Sequence, residues 1–269
     1  MNLVMSGTIA AAYKSGSQKA GNVTEAWGAE NFYCPNCSSP KLDWLKPGTK
    51  ANDYRCPACG FWYQLKSQKT HIGNSITDGA YDAMMNAIKE DRSPNFYFLH
   101  YDFATWEVRN LLLVPYFAFP PSAIIKRKPL SENARRAGWV GCNFDLRRIP
   151  ADARIAVVNN SQVTPADEVR DKFNKVKPLK DIGSKERGWT LDVLNLVQRL
   201  GKPEFKNEEI YAFAGELEKL HPDNRHIKDK IRQQLQVLRD RGFLTQPARG
   251  VWLAPLVEER LRKPQRLRQ

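Results

Sequence analysis

Strand-like and helix-like patterning alternate along the chain. Residues 17–30 mix apolar and polar positions at helical spacing and predict a helix leading into the first cysteine pair. Residues 51–67 predict a hairpin, because Phe61, Tyr63 and Leu65 alternate with Trp62, Gln64 and Lys66, the period-2 signature of a strand with one buried face. A second helix is expected over 77–90. Apolar runs at 96–101 and 108–114 predict buried strands, the second stopped by Pro115, and 155–158 predicts a short edge strand. Together these elements imply a mixed sheet with helices packed on it, an α/β (α+β) architecture.

Beyond residue 158 the pattern changes. Asn159-Asn160-Ser161, Pro165, Pro178 and Gly183-Ser184-Lys185 interrupt a polar, charged stretch at 159–187, which is expected to hold a linker. Thr190 is placed to cap a helix through Leu200, and Asn207 a second through Leu220. A third helix is expected from about His226 to Arg241, stopped by Gly242. Phe243-Leu244-Thr245 and Val251-Trp252-Leu253 then flank Pro247-Ala248-Arg249-Gly250, a hairpin with a basic tip. Three helices and a hairpin describe the winged variant of helix-turn-helix. The expected organisation is a first domain over 1–180, a winged-helix domain over 181–255 and a basic C-terminal tail over 256–269.

Composition narrows the classes. A length of 269 residues suits two domains, and 42% hydrophobic residues supply real cores, which excludes a disordered chain. No uninterrupted apolar stretch reaches the about 18 residues of a membrane span, so no membrane partner is expected. Lys and Arg number 42 against 29 Asp and Glu, a formal charge of +13, which fits a polyanionic partner such as nucleic acid. Residues 1–13 carry no charged side chain, so they lack the basic start of a signal peptide and read as the start of the fold. The expected location is the cytoplasm, and no obligate protein partner is implied.

Four of the 5 cysteines, Cys34/Cys37 and Cys56/Cys59, form a C-x2-C-x18-C-x2-C pattern. Two such turns bring four thiolates to one tetrahedral Zn²⁺ with bonds of about 2.3 Å. Four ordinary buried cysteines or a redox dithiol are the alternatives, the latter leaving one pair idle. A closed all-sulfur shell has no open position, so this zinc is expected to be structural. Cys142 reads as a buried free thiol, and His71, His100 and His221 show no ligand spacing.

If the hairpin turns on Pro57-Ala58-Cys59-Gly60, Asp53 stands opposite Gln64, with Lys66 one pleat along on the same face. This D-x10-Q-x-K constellation has the geometry of the D…(E/D)-x-K nuclease site. In it Asp53, Gln64 and the Leu65 carbonyl would hold catalytic Mg²⁺ while Lys66 orients the attacking water. Gln64 departs from the motif, since its amide oxygen can ligate a hard cation but carries no charge. The same short spacing also describes a solvated hairpin face.

Several blocks occur in the order found in one known family. They include Ser17-Gln18-Lys19-Ala20, Tyr33-Cys34-Pro35-Asn36-Cys37, Leu65-Lys66-Ser67 and Asp78-Gly79-Ala80-Tyr81. Longer stretches run from Arg127-Lys128-Pro129-Leu130 to Ala134-Arg135-Arg136-Ala137-Gly138-Trp139, and from His226-Ile227-Lys228 to Lys230-Ile231-Arg232. From about residue 14 to residue 253 the chain resembles the DpnI, or dam-replacing, family of bacterial methylation-dependent restriction endonucleases. The resemblance implies a PD-(D/E)xK nuclease domain with an inserted zinc site, followed by a winged helix. It further implies Mg²⁺-dependent cleavage of double-stranded DNA at GATC carrying N6-methyladenine, with both domains able to read the site. Asp53 and Lys66 match the family's metal-binding Asp and catalytic Lys, and Gln64 falls where the family has Glu, as a natural variant or an introduced change would produce. Trp139, beside Arg135 and Arg136, is the candidate for contact with the methyl group, although a core tryptophan would look the same in sequence.

In the third helix Ile227, Ile231, Leu235 and Leu238 form the core stripe, leaving Lys228, Arg232, Gln233, Gln236 and Arg239 outward. Arg pairs bidentately with guanine and Gln with adenine, so this face suits base reading, while Lys228 and the wing's Arg249 suit phosphates. A solvated amphipathic helix is the plainer alternative. Three functions remain distinct: a Mg²⁺-dependent endonuclease for methylated GATC, a catalytically impaired or inactive reader of N6-methyladenine DNA, and an RNA-binding ribbon protein, which leaves the wing unexplained.

Overall fold

The computed structural model describes residues 1–45 and 52–254. Helix α1 (Gly16–Asn31) starts at Ser15, whose hydroxyl accepts the Gln18 N–H at 3.2 Å. Its buried stripe is Val23, Thr24, Trp27 and Gly28. Short strands β1 (Asp43–Trp44) and β2 (Tyr54–Arg55) precede β3 (Trp62–Gln68), β4 (Ser75–Ala80), α2 (Tyr81–Lys89), β5 (Asn95–Asp102) and β6 (Glu107–Val114). Then come β7 (Ile124–Lys126), β8 (Gly141–Asp145), β9 (Ile155–Asn159), β10 (Gln162–Val163) and α3 (Ala166–Val176).

The main sheet runs β1-β2-β3-β5-β6-β9-β10, and a second sheet runs β4-β8-β7. β3 and β5 pair in parallel, with Gln64 beside Phe96 and Lys66 beside Phe98. A parallel pair needs a crossover, and here the crossover contains β4 and α2. Residues 95–99 of β5 are all buried because the strand is covered on both faces. Phe32, just past α1, stacks on Tyr97 at 4.2 Å, while Phe144 of β8 meets Phe96 at 4.9 Å and Phe98 at 5.6 Å. Tyr63 and Leu65 therefore lie on the α1 face of the sheet, and Gln64 and Lys66 on the face toward the second sheet.

In this part of the chain the structure corrects three expectations. The helix expected over 77–90 starts only at Tyr81, because 77–80 belong to β4, held by Thr77 pairing with Asn143 and Ala80 with Gly141. The strand expected at the edge, β9, has β10 outside it. Much of the polar stretch 159–187 is also folded, since Val169, Phe173 and Val176 recur at i, i+4 and i+7 and are buried along α3.

The C-terminal part is helical and HTH-like: α4 (Ser184–Leu200), β11 (Glu204–Lys206), α5 (Asn207–Tyr211), α6 (Ala214–Leu220), α7 (Ile227–Asp240), β12 (Thr245–Ala248) and β13 (Val251–Leu253). Its sheet, β11-β13-β12, contains a strand, β11, that patterning missed. Thr190 does not cap a helix; it lies inside α4, and its hydroxyl donates to the Gln234 side-chain oxygen at 2.6 Å. Asn207 accepts the Trp252 indole N–H at 2.8 Å, and the helix expected through Leu220 is divided into α5 and α6. Gly242, at φ +79, ends the α7 segment as expected.

Helix α4 is buried nearly all round, and its outer side meets the α/β part through polar contacts. Ser122 donates to Asp192 at 2.5 Å, Asn195 to the Arg147 carbonyl at 2.8 Å, and Gln198 to Asp152 at 2.5 Å. Arg187 forms an ion pair with Asp91. Gly188 permits the close approach, since a Cβ there would lie 3.1 Å from the Pro121 ring. No helix among the described residues is long and apolar enough to cross a membrane. The tail at 256–269 lies outside the described residues.

Candidate active site and nucleic-acid interface

The hairpin that carries the candidate chemistry turns on a pair of cysteines. Cys56 and Cys59 form the turn between β2 and β3, closed by Cys56 N–H donating to Phe61 at 2.8 Å, and Gly60 supplies the φ of +76 the turn requires. Cys34 lies 3.6 Å from Cys59, Cys37 lies 3.6 Å from Cys56, and all four sulfurs fall within 4.8 Å of one another. A tetrahedral zinc with bonds of about 2.3 Å needs sulfur separations of about 3.8 Å, so this cluster could hold such a metal. Burial pushes the Cys56 thiol up, but N–H groups of Cys59 and Ala58 and the neighbouring thiols more than offset it, bringing it to about 7. Arg170 of α3 clamps the other knuckle by donating to the Cys34 and Cys37 carbonyls at 3.2 and 3.1 Å.

Past this turn, Tyr54 pairs with Tyr63 and Arg55 with Trp62, which continues to Asp53 opposite Gln64. Asp53 donates its N–H to the Tyr63 carbonyl at 2.9 Å, and its side-chain Oδ2 accepts the Leu65 N–H at 2.7 Å. The carboxylate thus replaces a neighbouring strand where β2 stops. A strand residue turns its N–H and C=O to the same side, so the Leu65 carbonyl also faces this gap. Burial raises the Asp53 pKa, and the Leu65 N–H and the Lys66 charge oppose that rise. Gln64 and Lys66 are half-buried on one face, and a groove of about 590 Å³ runs from Lys66 past Gln68 and His71 to Thr77.

Two further acids lie beside the site: Glu25, which the sequence offers as a candidate substitute for the missing carboxylate, and Asp78, which sequence reasoning did not place there. Glu25 of α1 sits where the Tyr54 hydroxyl donates to its backbone carbonyl at 2.8 Å. Burial and then the Asp53 charge raise the Glu25 pKa, against a hydrogen bond from Trp44. Asp78 of β4 lies 2.5 Å from Lys66 Nζ and its side chain is only 7% exposed. No local pattern marks Asp78, whose partner is in another sheet; its presence in the Asp78-Gly79-Ala80-Tyr81 block was the one signal that pointed to it.

The α7 candidates share a solvated face. Lys228, Arg232, Gln233, Gln236 and Arg239 are exposed, as is Arg249 in the turn beside Gly250 (φ +78). Arg232 forms an ion pair with Asp229, Lys230 donates to Gln233 at 2.8 Å, and Arg239 reaches Gln246 of β12 at 3.0 Å. Ile231, Leu235 and Leu238 are buried with Gln234, a polar member that the apolar stripe did not announce. Arg135, Arg136 and Trp139 stand apart, on the loop between β7 and β8. Trp139 is half-buried, packed where a Cβ at Gly141 would come within 2.8 Å of its ring, and the Arg136 guanidinium lies 4.7 Å from the ring centre.

Comparison with protein families gives two matches that abut along the chain. The model described as DpnI, Dam-replacing family, matches residues 1–182. The Dam-replacing HTH domain matches residues 185–253.

Proposed function

The chain belongs to the Dam-replacing family, whose DpnI-type members are methylation-dependent restriction endonucleases, and on that premise we propose that it cleaves double-stranded DNA at GATC carrying N6-methyladenine, using Mg²⁺. The observation that carries this reading is the hairpin gap, where Asp53 Oδ2 takes the Leu65 N–H at 2.7 Å beside Gln64 and Lys66. Asp53, the Gln64 amide oxygen and the Leu65 carbonyl offer hard oxygen donors, which fit Mg²⁺. Bound there, Mg²⁺ supplies positive charge to the scissile phosphodiester. Asp53 is held in place by three main-chain contacts, to Tyr63, Leu45 and Leu65, of which its carboxylate accepts only the last, leaving its other oxygen to face the gap. Lys66 Nζ, on the same face as Gln64, donates a hydrogen bond to the attacking water and orients it. The α7 face, with Arg232 and Gln236, reads bases, Lys228 and Arg249 contact phosphates, and Trp139 with Arg135 and Arg136 contributes a second reading point in the nuclease domain. The domain limits that follow are 1–180 and 181–255.

The neutral Gln64 supports a second reading, a reader that binds methylated DNA without cutting it. One experiment separates the two: a Mg²⁺ titration of methylated-plasmid digestion for the chain, for Gln64→Glu, and for Lys66→Ala in each background. Gln64→Glu is expected to raise cleavage most at low Mg²⁺, and Lys66→Ala to abolish it in both backgrounds. Tight methyl-dependent binding with no cleavage by the chain or by Gln64→Glu would make it a reader.

A further inference from the structure

We infer that Asp78 is a positioning residue for the cleavage reaction: it fixes the Lys66 ammonium from the opposite sheet, an inference that rests on Lys66 acting as proposed above. The contact joins elements that no local structure would bring together. Lys66 is on β3 of the main sheet, Asp78 on β4 of the second, and Nζ lies 2.5 Å from Asp78 Oδ1. The β4–β8 ladder is regular at Thr77 and resumes at Ala80, so the irregularity falls at Asp78 and Gly79. Such bulges re-aim a side chain, and this one turns a carboxylate into the space between the sheets. Cys142 of β8 backs it, with its thiol 3.6 Å from the Gly79 carbonyl and 3.9 Å from Asp78 Oδ2.

Burial makes the arrangement specific. Asp78 is 7% exposed and Lys66 25%, so neither can turn to bulk water without losing the other. A long lysine side chain has many rotamers, and this partner selects one of them. Asp53 in turn feels the Lys66 charge, so the ammonium that pairs with Asp78 is also within electrostatic reach of the hairpin carboxylate. With Asp78 absent, Asp53 would be the only one of these two carboxylates left to hold Lys66, and the ammonium would be drawn toward the gap assigned to the metal. Asp78 thus keeps the cation and the oxygen donors apart. A misplacement of about 1 Å in such a site costs about 10²-fold in rate.

Asp78→Asn keeps the shape and removes the charge, while Asp78→Glu restores the charge on a longer arm. Both would be compared with the chain and with Gln64→Glu, measuring maximal cleavage rate, DNA affinity without Mg²⁺, and the side-chain NMR signal of Lys66 in lysine-labelled protein, identified by its loss in Lys66→Arg. Asp78→Asn is expected to move the Lys66 signal, lower the maximal rate about 10²-fold in the cleaving background and leave DNA affinity and Tm nearly unchanged. Asp78→Glu should recover part of the rate. An unmoved Lys66 signal in Asp78→Asn would refute the contact, and a moved signal with an unchanged rate would refute its role in cleavage. If Lys66→Ala cleaves normally, the fault lies instead with the catalytic assignment of Lys66, whatever the signal does.

Discussion

The hairpin from β2 to β3 and the helix α7 are the two elements that meet DNA in the proposed reading, and they are built in opposite ways. On the hairpin, polar groups are half-buried and committed to partners: Asp53 to the Leu65 N–H, Lys66 to Asp78, and the cysteines to one another. On the outward face of α7 the polar groups are exposed, and their partners sit within one turn or on the adjacent wing, while the buried Gln234 is bonded to Thr190 of α4. Partnerships of the first kind hold a geometry in the absence of substrate. Those of the second kind are worth about 0.2–1 kcal/mol and are readily exchanged for contacts to bases or phosphates. Changes on the hairpin should therefore act as switches, and changes on α7 as graded adjustments.

The sharpest way to break this contrast is at the cysteine turn. Cys56→Ser is expected to release the metal and to lower Tm more than substitutions at Gly28, Arg232, Gln236 or Asp229, because metal binding is coupled to folding at such sites. Melting curves with and without a chelator, together with metal analysis, check it; a normal Tm in a metal-free variant would remove the structural role. Next is Gly28→Ala, whose Cβ would sit 2.4 Å from the Tyr54 hydroxyl and 2.7 Å from the Phe32 ring. Overpacking of this kind costs about 1–3 kcal/mol, and by pushing α1 from β2 it should impair cleavage more than DNA binding. On α7, Arg232→Ala and Gln236→Ala should each weaken binding by about 1–3 kcal/mol, measured on methylated and unmethylated duplexes at one salt concentration. Parental affinity for both duplexes would place recognition elsewhere. The smallest effect belongs to Asp229→Asn, which frees Arg232 from an exposed pair and should change stability by less than about 1 kcal/mol, read from denaturant curves.

What could be read in the sequence follows the range of each interaction. The β2–β3 register was readable because a four-residue cysteine turn fixes the loop and alternation fixes the faces. The α7 stripe was readable because helical spacing is local. β4 was not, because Thr77 and Ala80 are strand residues only by virtue of Asn143 and Gly141, far along the chain. The same distance hid Asp78 beside Lys66. In α3 the apolar spacing was present, but the charged residues between its buried positions gave the segment a linker's composition. Thr190 resembled a cap because its hydroxyl seeks a partner near a helix start; the partner it finds, Gln234, lies on another helix.

The polar seam along α4 bears on how the molecule could be cut and recombined. The two family matches meet between residues 182 and 185, at the start of α4, yet Arg187, Asp192, Asn195 and Gln198 of that helix complete contacts made by Asp91, Ser122, Arg147 and Asp152. A nuclease fragment ending at this junction would lose those partners, and a reading head transplanted from elsewhere would have to supply them. Exchange of specificity between relatives would therefore have to match α4 on both sides, to the nuclease part through this seam and to α7 through the Thr190–Gln234 hydrogen bond.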